Sequence, residues 1–147
     1  MQIVRAVVID CHIEDVFAFV ADPLNDPAWC GKVERVEQVE GDGPGPGARY
    51  EVLHRPIPFR PARRMAYTCS DWDPPGRIAW REDDGADVID VTYELESVWT
   101  STRLTQRDDA QLGAPRALQP LLRIGIGRDV ARQLHTLKRV LERRGAQ

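Results

Sequence analysis

Ile89-Asp90-Val91-Thr92-Tyr93-Glu94-Leu95-Glu96 alternates apolar and polar side chains without a break. Successive side chains of a strand point to opposite faces, so a period of two describes an antiparallel sheet with one buried and one wet face. Working outward, Asp83-Asp84-Gly85 and Asp73-Pro74-Pro75-Gly76 are turns by composition and bracket a strand over Arg77–Glu82. Trp99–Arg107 supplies the last strand. Arg63–Ser70, Arg49–His54, Val33–Glu40 and Gln2–Asp10 supply the earlier ones. Gly41–Gly47 is too rich in Gly and Pro to be anything but a loop, and Arg55–Pro61 is a proline-rich hairpin tip.

Two segments break the period of two. After the first strand, Val16, Phe17, Phe19 and Val20 recur at helical spacing behind the acidic start Glu14-Asp15, which suits the helix dipole. Asp22-Pro23 ends that helix, because proline disfavours the α conformation in the residue before it, and Pro23–Trp29 reads as a second short helix or turn. In the last third, Leu118, Leu122, Ile126, Val130, Leu134, Leu137 and Leu141 recur at steps of 4, 4, 4, 4, 3 and 4, one stripe of a long amphipathic helix. Pro120 is tolerated only in its first turn or at a kink, and Gly125 and Gly127 weaken it. The sum is an α+β fold: a curved antiparallel sheet of six to seven strands must bury one face, and the C-terminal helix is the element long enough to cover it.

The chain of 147 residues, 42% hydrophobic and 29% charged, is read as a single domain over residues 1–147. Its net charge of −3 does not mark a nucleic-acid binder. The charge is uneven: residues 1–113 hold 12 basic and 21 acidic side chains, residues 114–147 hold 8 and 2. We read the C-terminal arginines as a solvated face balancing the acidic sheet of the same molecule or of a partner copy, so a homodimer is an open expectation. The longest apolar run, Val16–Ala21, is far short of the roughly 20 residues of a membrane span, so no integral membrane contact is expected. No secretion signal is visible, and three widely spaced cysteines agree with a reducing compartment, so a cytoplasmic location is expected.

Val8-Ile9-Asp10, Glu14-Asp15-Val16-Phe17-Ala18-Phe19-Val20-Ala21-Asp22-Pro23, Asn25-Asp26-Pro27-Ala28-Trp29, Gly47-Ala48-Arg49-Tyr50, Trp72-Asp73-Pro74-Pro75-Gly76-Arg77-Ile78-Ala79 and Thr102-Arg103-Leu104-Thr105 occur in that order, before Leu121-Leu122 through Glu142. Together they resemble the START/SRPBCC superfamily, the helix-grip proteins that include polyketide cyclases, lipid-transfer domains and pollen allergens. The resemblance implies a sheet gripping the long helix, with a small-molecule pocket between them. It is specific for fold and carries little about activity.

Chemistry-bearing residues are few. His12, His54, His135 and the cysteines show no zinc-motif spacing, no serine sits in a nucleophile-elbow context, and the Gly/Pro loop joins two strands and cannot offer a helix N-terminus to phosphate. No metal and no cofactor are expected. His54 shares a strand face with Tyr50 and Val52 and is the candidate general acid/base, although a strand-end imidazole beside Arg55 is more often half exposed. Glu82 follows Ile78 and Trp80 on one face and either enters the cavity, where desolvation would raise its pKa, or stays on the rim, which we favour. Tyr50, Val52, Met65, Tyr67, Trp80, Ile89, Val91 and Tyr93 of the sheet, with Leu122, Ile126 and Val130 of the helix, are the candidate ligand-binding wall. Asp71, Asp73, Asp83, Asp84, Asp108 and Asp109 read as turn residues. The favoured function is binding or transport of a small hydrophobic molecule, a lipid, polyketide or aromatic. The alternatives are a cofactor-independent cyclase/dehydratase and a protein-interaction or chaperone-like module, the latter with a filled cavity and an exposed apolar patch.

Overall fold

A computed structural model describes residues 1–145. The strands are β1 (Gln2–Ile9), β2 (Val33–Glu40), β3 (Arg49–His54), β4 (Arg63–Asp73), β5 (Arg77–Asp83), β6 (Val88–Val98) and β7 (Ser101–Gln111). Helix α1 (Ile13–Val20) and a short 3-10 helix (Pro23–Ala28) follow β1, and α2 (Gln119–Gly145) follows β7. All seven strands form one antiparallel sheet in the order β1-β7-β6-β5-β4-β3-β2. This is the α+β helix-grip architecture expected, with strands longer than the alternation alone indicated. β7 runs to Gln111 because β1 and β6 both pair with its end.

The buried face carries Tyr50 and Val52 of β3, Met65 and Tyr67 of β4, Ile78 and Trp80 of β5, Val91, Tyr93 and Leu95 of β6 and Leu104 of β7, all buried. Burying each large apolar side chain stabilises by roughly 1.5–3 kcal/mol. The wet face is laced by cross-strand ion pairs, among them Arg103–Glu96, Arg107–Glu94, Arg81–Asp90 and Arg77–Asp71. Part of the sheet's acidity is therefore paired with arginines of the sheet itself.

Val130, Leu134, Leu137 and Leu141 of α2 are buried, Leu122 and Ile126 half-buried, and Leu118 is 49% exposed. Leu118 thus departs from the expected stripe: it closes a separate 3-10 turn, Arg116–Leu118, and α2 starts at Gln119 with Pro120 in its first turn. Cover is also shared more widely than expected. α2 packs along β1, its Lys138 donating to the Val8 carbonyl and its Gly127 meeting the Arg5 side chain. α1 and the short helix roof the centre of the sheet, where Phe17 packs edge-on to Trp72 and Trp29 edge-on to Tyr93.

Strand directions gather β2's start, the 55–62 tip, the 84–87 turn, the β7–α2 link and the start of α2 at one end of the sheet. The Gly/Pro loop lies at the other end, where Gly45 faces the Trp72 ring. The loop and the tip thus lie at opposite ends of the sheet.

Candidate functional site

Alternation along β3, β4, β5 and β6 brings the sequence-selected wall together, and its exposure is graded. Tyr50, Val52, Met65, Tyr67, Trp80, Val91, Tyr93 and, from α2, Val130 are buried and form a closed floor. His54, Glu82, Ile89, Leu122 and Ile126 are half-buried and lie toward the end that carries the 55–62 tip. The interior is thus least completely covered at this end, where α2 begins. Lys32 forms an ion pair with Asp129 of α2, tying the segment after the short helix to the long helix.

His54 ends β3 opposite Val33 and Arg63. Burial, then the nearby Lys32 ammonium, lower its pKa below the ordinary histidine value, so the neutral imidazole is favoured. Glu82 is the register partner of Tyr67 across β4 and β5, which sets the tyrosine hydroxyl beside its carboxyl. Desolvation, followed by the negative charges of Asp108 and Asp26, pushes the Glu82 carboxyl well above the usual carboxylate range. Burial likewise raises the Tyr67 and Tyr93 hydroxyls.

Two further carboxylates join them. Asp22 caps the short helix, its side chain accepting from the Leu24 amide at 3.0 Å, and one turn later Asp26 is delivered to the interior, 9% exposed. Burial raises Asp26 well above its ordinary value, and Asp22 adds to the rise. Asp108 is a buried β7 residue, not the turn residue its Asp-Asp context indicated, because β7 continues past Arg107 between its two neighbours. Desolvation lifts it to about 6, while Gln106 donates to it at 2.9 Å.

Three polar atoms in this interior are buried without a hydrogen-bond partner: the Trp29 indole nitrogen, the Tyr50 hydroxyl and the Gln106 carbonyl oxygen. The Trp29 indole lies near enough to Asp26 to oppose part of its rise. A folded interior rarely leaves such groups unpaired, since each costs roughly 1–3 kcal/mol. Chemically, the arrangement can donate from carboxylic acid, hydroxyl and indole groups and accept at Gln106, inside an apolar wall. Among the described residues no group of three His, Cys, Asp or Glu side chains is arranged to hold a metal ion, and no helix is long and apolar enough to cross a membrane.

Two surface depressions lie outside the grip. One of about 150 Å³ is on the wet face of β2–β4, between Arg35, Glu37, Leu53 and Arg64. The other, of about 380 Å³, lies between α1 and the C-terminal end of α2, beside Cys11, Phe19 and Arg144.

The model of the family described as polyketide cyclase/dehydrase and lipid transport matches residues 1–142. The chain belongs to that family. No curated protein matches it. Among solved structures, the cyclase/lipid-transport fold is shared with TTHA0849 from Thermus thermophilus, at 17% identity and a TM-score of 0.80, covering 96% of this chain and 97% of that one. It is shared with a START superfamily protein from Mycobacterium smegmatis, at 12% identity and a TM-score of 0.79, covering 97% of each chain. The Zhui aromatase/cyclase from Streptomyces sp. R1128 aligns at 16% identity and a TM-score of 0.76, covering 98% of this chain and 94% of that one. At such identities the likeness is one of fold.

Within this cyclase/lipid-transport scaffold, sequence reasoning missed Asp26, Trp29, Cys30, Gln106 and Asp108. For Gln106 and Asp108 a signal existed: extending the alternation Thr102, Leu104, Gln106, Asp108, Ala110 through the Asp-Asp pair places both inward, as observed. Asp26 had none, because nothing local tells which side of a six-residue helix faces the sheet.

Proposed function

We propose that this protein binds a small, mainly apolar molecule inside the grip, admitted at the end of the sheet bordered by the 55–62 tip, the 84–87 turn and the start of α2. The carrying observation is the graded wall: a closed aromatic floor, a half-buried mouth at His54, Glu82, Ile89, Leu122 and Ile126, and polar groups set between them. An apolar concavity with a few placed polar groups is the ordinary make-up of a small-molecule site. Tyr50, Val52, Met65, Tyr67, Trp80, Val91, Tyr93 and Val130 are its walls. Native mass spectrometry of the purified protein tests this by showing a co-purified small molecule, and hydrogen exchange in the 55–62 tip should slow when an apolar ligand is added. Unchanged exchange at saturating ligand would remove the gate.

A second reading, a cofactor-independent cyclase/dehydratase, draws on the Tyr67–Glu82 pair and on His54 at the mouth, since acid/base chemistry needs at least two polar groups converging on one substrate. His54→Ala would then lower turnover by roughly 100-fold with the fold intact, whereas a carrier would tolerate the change. Exposed Ile57, Phe59, Leu118, Leu121 and Ile124 would serve a protein-interaction module. Against that third reading stand Asp26, Glu82 and Asp108, whose desolvation has no purpose in a core that is merely filled.

A further inference from the structure

We infer that the interior selects uncharged ligands bearing carbonyl and hydroxyl groups over carboxylates and phosphates, with Asp26, Trp29, Glu82, Gln106 and Asp108 as the specificity-determining set. This rests on the reading of the grip as a binding site and names the class of molecule it takes.

Asp26 and Trp29 come from the short helix and the residue after it, Glu82 from β5, and Gln106 and Asp108 from β7. Trp29 packs edge-on to Tyr93, Tyr93 pairs with Gln106 across β6 and β7, and Gln106 donates to Asp108 at 2.9 Å, so these groups line one region, and the charges of Asp26, Glu82 and Cys30 are felt beside it. An acidic cluster alone would specify nothing. Here, however, the Trp29 N–H, 2% exposed, and the Gln106 carbonyl, 5% exposed, are unpartnered within the same region. One is a donor waiting for an oxygen, the other an acceptor waiting for a hydroxyl.

The two unpartnered atoms ask for a ligand that both accepts and donates, as a keto group and a hydroxyl do. The carboxyls set the charge. A ligand carboxylate or phosphate brought among them would add like charge in a poorly solvated space, where Coulomb repulsion is several times stronger than in water. The weakened acidity of Asp26 and Glu82 acts in the same direction, since a protonated carboxyl can donate to a carbonyl oxygen. Asp108, lifted to about 6, remains largely ionised at neutral pH and is the member that repels an anion most directly.

Three probes separate the cases: naphthalene, a hydroxy-acetylnaphthalene, and the hydroxynaphthoate that carries a carboxylate in place of the acetyl group, each titrated calorimetrically into the full chain at neutral pH. The ketone is expected to bind at least about ten-fold more tightly than the carboxylate. Trp29→Phe should reduce the ratio of ketone to naphthalene affinity about five-fold, a readout that general loosening of the fold would not move. Asp108→Asn should narrow the ketone-to-carboxylate ratio at least about three-fold. Carboxylate binding equal to or tighter than the ketone, with naphthalene still bound, overturns the charge selection and leaves the binding site standing. Binding of none of the three overturns the site itself, and the selection with it.

Discussion

Tyr67 and Glu82 are direct register partners across β4 and β5, and the tyrosine hydroxyl lies near enough to the glutamate carboxyl to act on its charge. The hydroxyl favours the charged carboxylate, so it partly offsets the desolvation that drives the Glu82 pKa upward. Tyr67→Phe removes that support and should raise the Glu82 pKa further, measured by carboxyl-carbon NMR across a pH titration. A Glu82 titration that stays put or moves down would show the two groups to be uncoupled.

Asp108 makes folding pH-dependent. Its carboxyl titrates near 3.8 when free and at about 6 in the fold, so the native state holds the proton more tightly. Stability from this group is complete below the free value and is lost as pH rises through about 6, burial driving the shift and the Gln106 hydrogen bond opposing it. The loss is on the order of 3 kcal/mol. Asp108→Asn cannot ionise and should flatten this part of the profile, raising stability at pH 8 relative to pH 5 in urea unfolding. An unchanged profile would mean that Asp108 stays solvated in the native state.

The two glycines of α2 should respond differently to alanine. A Cβ on Gly125 meets open space, so Gly125→Ala should stabilise by about 0.5–1 kcal/mol through helix propensity alone. A Cβ on Gly127 would lie 2.5 Å from an Arg5 guanidinium nitrogen, and that side chain must move aside, consuming part or all of the same gain. Thermal unfolding of the two variants decides it: equal increases in Tm would mean that Arg5 does not occupy the helix face.

Leu134 and Leu118 occupy one apolar stripe in the sequence and opposite situations in the fold. Leu134 is 1% exposed, and Leu134→Ala should cost about 2–5 kcal/mol. Leu118 is 49% exposed, and Leu118→Ala should change stability by less than about 0.5 kcal/mol. Comparable losses in chemical denaturation would place Leu118 under the sheet after all.

Much of this architecture was legible in the chain itself. The alternation Ile89 to Glu96 announced a one-sided sheet, Asp22-Pro23 announced the end of α1, and Val130 to Leu141 announced the buried side of α2. These are local signals: side-chain period and proline geometry act over a few residues and need no knowledge of what lies opposite. The aromatic floor was legible for the same reason, since Tyr50, Tyr67, Trp80 and Tyr93 each follow the parity of their strand. What only the tertiary structure decided is the company each residue keeps. Asp26 reaches the interior because a short helix, capped by Asp22, folds back over strands distant in sequence, and Asp108 is buried because β1 and β6 extend β7 beyond its acidic pair. Whether a carboxylate is a solvated turn residue or an uncompensated interior acid depends on the solvent it loses and the charges brought near it. Both are set by segments far away along the chain.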